Sequence, residues 1–291
     1  MKLTTLIMAF GLLALGGCNG GSSDGNINID ITDSPTDQAT SVVVEFTGVV
    51  AQPAAGKAVS YRFPTPVQID LAQLQDGTSA SLLQNLQLPA GHYRWLELEV
   101  SATPGAKDSS VTLDSGAVQG LVLTAGGQAS LRMASGFDVQ ANEGSSFIVD
   151  FDARRSVLPP AAGSTDFQLQ PVLRMLDERA ASNIVGSVPG NLAAAAGCVP
   201  VVYVYRGTDA TPADLDSATP AATQPITEAP VALNTDFGAY RFTAAYLPAG
   251  TYTLAFTCDA DKDDPTRHDV LNFSPVGTAV AQTGETTLTT L

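Results

Sequence analysis

The chain has 291 residues, 44% of them hydrophobic and 15% charged, with 26 glycines and 18 prolines, which describes a turn-rich globular protein and excludes a disordered stalk. Its 29 acidic side chains against 14 basic ones leave a formal net charge of −15. That surface repels polyphosphate and anionic lipid headgroups alike, so nucleic acid is not a partner and a membrane must be held by something other than charge.

The first 18 residues supply such a device. Lys2, an apolar run from Leu3 to Leu15 and then Leu15-Gly16-Gly17-Cys18 read as a lipoprotein signal. The run is too short for a permanent span, and small residues precede the cysteine where a signal peptidase cuts. Cleavage makes Cys18 the lipidated N-terminus, so the expected partner is the membrane and the expected location is the cell envelope. Asn19, rather than aspartate, follows the cysteine, which favours the outer membrane in a host with two. Residues 19–26, rich in glycine and serine, read as a flexible tether.

Period-two alternation then begins: Ile27, Ile29 and Ile31 share one face while Asn28, Asp30 and Thr32 share the other, as in a half-buried strand. After an Asp33-Ser34-Pro35 turn, further strands are expected at Ser41–Val50, Ala58–Phe63, Val67–Leu71, His92–Ser101, Ser110–Asp114, Val118–Thr124, Gln128–Ala134, Ser146–Phe151 and Phe167–Met175. A helical turn or two is expected within Ala72–Leu88, with Leu74, Leu82, Leu83 and Leu86 as apolar contacts. The charged link Asp177-Glu178-Arg179 ends this unit. A second opens near Asn183 with strands at Ile184–Val188, Val199–Tyr205, Ala239–Ala244, Thr251–Cys258 and Val276–Ala281, while Gly207–Pro230 reads as a long surface excursion. The fold class is all-β: two β-sandwich domains of immunoglobulin or transthyretin-like type, residues 27–178 and 183–291, behind the signal and tether.

One short motif occurs in both halves, Leu88-Pro89-Ala90-Gly91-His92-Tyr93 and Leu247-Pro248-Ala249-Gly250-Thr251-Tyr252. Proline sets the turn, glycine takes positive φ and the tyrosine starts a strand, so the device is structural. With Tyr240-Arg241-Phe242 and Thr253-Leu254, the second copy resembles the transthyretin-like or carboxypeptidase-regulatory-like sandwiches of bacterial surface proteins. The first half resembles a family of bacterial lipoprotein domains known only as a domain of unknown function. That resemblance rests on Ile31-Thr32-Asp33-Ser34-Pro35, Val49, the first copy of the repeated motif, Phe147 to Val157 with its Asp150-Phe151-Asp152-Ala153-Arg154-Arg155 centre, and Leu169 to Arg174. It implies a β-rich exported domain and no catalytic residue.

With Cys18 used by lipid, Cys198 and Cys258 remain, both beside strands and both in an oxidising compartment, so they are expected to form a disulfide. Closing that loop stabilises by roughly 4 kcal/mol in the chain-entropy model.

Chemistry is sparse. His92 and His268 sit in no metal-ligand spacing, and the chain lacks H-E-x-x-H, a P-loop and a dinucleotide fingerprint, so no cofactor is expected apart from calcium. The calcium candidates are Asp259, Asp261, Asp263 and Asp264, spaced like the start of an EF-hand loop; Asp264 stands where that loop has glycine and Val270 where it has glutamate, and a solvated acidic turn is the alternative. Asp150 and Asp152 share a strand face and form a second carboxylate pair, with Arg154 and Arg155 at hand to neutralise them. Tyr93, Trp95, Glu97 and Glu99 form a third group, aromatic rings beside carboxylates that suit a sugar. The leading expectation is a non-enzymatic envelope protein binding a carbohydrate, an adhesive ligand or an assembly partner. The alternatives are a structural part of an envelope or fimbria-like assembly and a carboxylate-based hydrolase, which needs two acids roughly 5 to 10 Å apart in a cleft.

Overall fold

The computed structural model describes residues 23–33, 39–123, 131–216 and 223–291. Cys18, most of the tether, Ser34-Pro35 and the start of the strand expected at Gln128–Ala134 lie outside the described residues.

In the first half, the isoleucine-alternating strand β1 (Asp24–Asp33) is central to a four-stranded sheet. It runs parallel to β10 (Gly144–Phe151) and antiparallel to β4 (Ala80–Pro89), and β13 (Leu173–Asp177) lies beyond β10. The facing sheet is organised by the long strand β2 (Ala39–Pro53), which pairs with β3 (Val59–Asp70), β5 (Gly91–Ser101) and β6 (Ser110–Leu113). It continues through β7 (Val118–Leu123) to β12 (Phe167–Leu169) and β11 (Val157–Leu158), and on the other side β8 (Leu131–Met133) and β9 (Phe137–Val139) pair with β5. Ile27, Ile29 and Ile31 from one sheet and Val42, Val44, Phe46, Leu96 and Leu98 from the other share one core. A period-two pattern puts one face of each strand there, and burying each such side chain is worth roughly 2 kcal/mol.

In the second half, β14 (Ser182–Val188) pairs with β18 (Ala239–Leu247) and, in parallel, β21 (Thr286–Thr290), while β17 (Ala232–Asn234) adds to β18. The opposing sheet runs β16 (Thr227–Pro230), β15 (Val201–Arg206), β19 (Gly250–Thr257), β20 (Phe273–Ala281). Ile184, Val202, Val204, Phe242, Leu254 and Phe256 fill the space between. Among the described strands none of the first half pairs with one of the second, so the protein is two β-sandwiches. Cys198 and Cys258 are disulfide-bonded, with Cα atoms 4.5 Å apart, which ties the approach to β15 to the end of β19.

Three local expectations are corrected. The helical turn or two expected within Ala72–Leu88 shrinks to a single 3-10 turn at Leu71–Gln73, and Ala80–Pro89 is β4. Asp76 and Gly77 both take positive φ (58° and 83°) and end any helical path, after which Leu82, Leu83 and Leu88 bury against β1. Pairing with β1 outweighs the helical leaning of the leucine-rich segment. The strand expected at Phe167–Met175 is two strands in opposite sheets, β12 and β13. The surface excursion Gly207–Pro230 is in large part interior, since Asp214, Leu215, Asp216, Gln224, Thr227, Glu228 and Ala229 are buried and β16 belongs to the sheet.

Both copies of the repeated motif fold alike: the Tyr93 hydroxyl donates to the Pro89 carbonyl at 2.9 Å and the Tyr252 hydroxyl to the Pro248 carbonyl at 2.6 Å, with both rings buried. The hydrogen bond lets a tyrosine serve as core without stranding its hydroxyl.

Candidate functional site

The residues that carry chemistry gather where the two sandwiches meet. After β10 the chain makes one helical turn, α1 (Ala153–Ser156), whose N-cap is Asp152. One oxygen of Asp152 accepts from the Arg155 amide at 3.0 Å and the other from Arg155 Nε at 2.6 Å, while Asp33 at the end of β1 accepts from the Ala153 amide at 2.9 Å. The Ser156 hydroxyl accepts from the Val172 amide at 2.8 Å. With its start and end pinned, α1 sends Arg154 out of the first sandwich and into the second. There Nη1 donates to the Tyr203 hydroxyl at 3.1 Å and lies 3.1 Å from an Asp263 carboxylate oxygen, and Nη2 donates to the Asp263 carbonyl at 2.8 Å. The Arg154 side chain is 4% exposed, so a full charge crosses the junction out of water. A second crossing joins the Tyr246 hydroxyl to the Gly77 carbonyl at 3.0 Å.

The same Asp263 oxygen also accepts from the Tyr203 hydroxyl and, at 3.3 Å, from the Leu215 amide. Burial nevertheless pushes the Asp263 carboxyl above its usual range, with Arg154 pulling the other way. Burial likewise raises Asp150, against the opposing charge of Arg174, whose Nη2 donates to it at 2.5 Å. Burial also pushes Glu228 on β16 up, to about 8, because Arg154 Nη1 stays 3.8 Å away and neither Glu228 oxygen accepts a hydrogen bond. Glu228 lines a small pocket of about 20 Å³ between the sandwiches together with Thr32, Asp33, Asp76 and Asp150.

On the other side of Arg154 the junction forms a larger cleft of about 200 Å³. Val42, Val111, Leu113, Val157 and Phe167 of the first sandwich make an apolar wall; Asp264, Pro265 and Thr266 of the second make a polar lip. A cleft at a domain junction, apolar with few polar groups, has the character of a ligand site, and this one has room for a side chain or a small group.

The residues expected from sequence are placed as follows. Among the described residues, no three of Asp259, Asp261, Asp263 and Asp264 bring carboxylate oxygens together; the group that does is Asp214, Asp263 and Asp269, with oxygens within 4.8 Å of one another. Asp259 is held by Lys262 and by Asn272, whose amide and side chain donate at 3.1 and 3.0 Å, and these bonds hold its carboxyl below the usual range. Asp264 caps the turn to Thr266 and pairs with Arg267 at 3.2 Å. Asp263 points inward to Arg154. The aspartate run is therefore divided, because a 3-10 turn at Ala260–Lys262 sends successive side chains different ways. Asp150 and Asp152 do not act as a free pair, since Arg174 takes one and Arg155 the other.

The sugar-binding face is also broken up. A register shift in the pairing of β5 with β2, between Gln52 opposite Trp95 and Pro53 opposite Tyr93, slips the pleat by one residue. Tyr93 consequently turns into the core, stacked on Phe137, while Trp95, Glu97 and Glu99 stay on the outer face. Trp95 is covered by the Arg132 guanidinium 4.0 Å from its ring, and Glu97 accepts from Arg132 at 2.8 Å. His92 pairs with Asp138 at 3.0 Å on the surface, and His268 with buried Asp214 at 2.9 Å.

Sequence reasoning missed Glu228, Asp214 and Arg174. The first two lay in a Thr-, Ala- and Pro-rich stretch whose composition reads as loop. The one available signal was Ile226-Thr227-Glu228-Ala229, a charge among residues that suit a buried strand.

A sequence profile described as "Domain of unknown function (DUF4382)" matches residues 24–171. No curated protein matches the chain. Among solved structures it is similar to a leucine-rich repeat protein from Bacteroides thetaiotaomicron (11% identity, covering 93% of this chain and 26% of that one, TM-score 0.23). It is also similar to the TIE protein of Bacillus anthracis (12% identity, 92% and 34%, TM-score 0.21) and to the minor pilin of Streptococcus agalactiae (10% identity, 91% and 94%, TM-score 0.20). The chain spans about a quarter to a third of the length of the first two.

Proposed function

We propose, for a chain that belongs to the DUF4382 family through residues 24–171, the role of an exported, lipid-anchored envelope protein that binds a partner and catalyses no reaction. The observation behind this is the junction. Asp150 and Asp152 are taken by Arg174 and Arg155 inside the first sandwich, Asp263 by Arg154 across the junction, and Glu228 is closed off from solvent, so what the junction offers solvent is the apolar cleft. A cleft with an apolar wall and an acidic lip suits an apolar side chain flanked by a basic group on an envelope protein. A sugar is suited less, since Trp95 stands on β5 away from this cleft and lies under Arg132. The Cys198–Cys258 disulfide supports export to an oxidising compartment, and the Cys18 signal supports the lipid.

Two measurements test this. Detergent phase partitioning of the expressed protein places it in the detergent phase, and Cys18→Ser moves it to the aqueous phase; unchanged partitioning rejects the anchor. Co-sedimentation of the soluble Cys18→Ser protein with isolated envelopes is lost on Val157→Asp, which charges the cleft wall. Equal sedimentation of the two, or none by the parent, rejects the cleft as the binding surface.

A second reading, a structural part of an envelope assembly, has one observation in its favour. The nine-residue strand β20 ends its sheet, with Val276 49% and Val280 50% exposed, and an open edge invites strand addition. Sedimentation that depends on protein concentration, abolished by Val276→Lys with Val280→Lys, would select it.

A further inference from the structure

The junction contains more negative than positive charge. Glu228 faces Asp33 from β1, Asp150 from β10 and Asp76 from the turn before β4 across the small pocket. Asp152, Arg154 and Arg155 act on it from α1 and its cap, and Asp263 acts from the segment after β19. The Tyr203 hydroxyl on the adjacent strand donates its hydrogen bond to Asp263 and offers Glu228 none. Arg155 and Arg174 are engaged by Asp152 and Asp150. Arg154 makes its close contacts with Asp263, 3.1 Å against 3.8 Å to Glu228. Glu228 is left 3% exposed with both oxygens lacking hydrogen bonds. A buried carboxylate so poorly compensated sheds its charge by taking a proton or a cation. The geometry decides between them: among the described residues no three carboxylates around this pocket come close enough to share an ion, because the one group that does is Asp214, Asp263 and Asp269. The pocket, about 20 Å³, has room for about one water, which can accept the proton of a neutral Glu228.

We propose that Glu228 is a protonated carboxylic acid that sets the pH response of the domain junction: neutral while the sandwiches are closed on each other, and loosening them when it ionises. Glu228 behaves so whatever the cleft binds. Its sign follows from linkage. Burial raises the folded-state pKa of Glu228 above the unfolded value, so the folded protein holds the extra proton in the window between the two. The contribution is fully present below the unfolded pKa, declines through that window and is gone above the folded one. The junction therefore tightens in mild acid and weakens toward mild alkali. Arg154 also lines the larger cleft, so its wall loosens along with the junction.

The test is thermal unfolding of the full chain from about pH 5 to about pH 9. The wild type should lose several degrees of melting temperature across the range, and Glu228→Gln, which keeps the shape without the charge, should lose much less and melt above the wild type at the alkaline end. A wild type with no such slope, or a Glu228→Gln variant that keeps it, overturns the proposal. Should the variant fail to fold, infrared difference spectra of the wild type, isotope-labelled at glutamate carboxyls, decide. Glu228 is the buried glutamate among the described residues, so a glutamate C=O stretch of a protonated acid persisting at neutral pH supports the proposal and its absence refutes it.

Discussion

Replacing Arg154 with methionine removes the charge that joins the sandwiches while keeping a similar apolar stem. In the wild type the guanidinium lies 3.1 Å from the Asp263 carboxylate and donates to the Asp263 carbonyl at 2.8 Å and the Tyr203 hydroxyl at 3.1 Å, all out of water. The variant leaves Asp263 buried and held by the Tyr203 hydroxyl and the Leu215 amide alone. Breaking a buried pair by removing one partner costs about 3 to 5 kcal/mol, most of it the penalty of the stranded charge. At about 2 to 4 °C per kcal/mol for a protein of this size, melting should fall by roughly 10 °C. Because the penalty is a stranded carboxylate, Asp263→Asn added to Arg154→Met should return part of the loss, a coupling of about 1 to 3 kcal/mol in a double-mutant cycle. Differential scanning calorimetry of the four proteins at one pH measures both quantities. An Arg154→Met protein that melts within about 2 °C of the wild type, or losses that simply add, would refute the assignment of Arg154 as the buried link.

Reducing the Cys198–Cys258 bond, whose loop spans 60 residues, should lower stability by roughly 4 kcal/mol, read as a shift in the urea midpoint with and without reductant. Tyr93→Phe and Tyr252→Phe should each cost about 1 kcal/mol by the same assay, since each removes one hydrogen bond to a proline carbonyl and no packing. Asp152→Ala should cost about 2 kcal/mol, because it removes both the cap of α1 and the partner of Arg155; a variant as stable as the wild type would show that α1 holds its place without them.

The outline of the fold was legible in the residues because its causes are local. Alternating isoleucines mark β1, whatever lies opposite; Pro-Ala-Gly followed by a tyrosine marks a turn into a strand, twice; two cysteines beside strands mark a bond. The candidate site was legible only in fragments. Asp263 and Arg154 both stand out in the sequence, but spacing pairs Arg154 with Asp150 and Asp152, four and two residues away, when its partner is 109 residues along the chain. Nothing local distinguishes those outcomes, because a guanidinium next to two carboxylates satisfies the sequence equally well either way. What separates them is that Asp152 faces Arg155 at the cap of α1, so that the turn of the helix carries Arg154 to the opposite side.

The same division holds elsewhere. Leu82, Leu83 and Leu88 suit a helix or a strand by composition, and they form β4 because β1 has an open edge and an apolar face to cover. Tyr93 belongs by parity with Trp95, and one slipped residue in the β5 pairing puts it in the core. Glu228 reads as a loop residue and stands in a buried strand because β15 needs a partner on that edge. Period and turn chemistry are properties of a few neighbouring residues and survive without the rest of the molecule. Which face a strand presents, which edge it fills and which charge a buried acid meets depend on pairings between distant segments, whose energies exist only once both are in place.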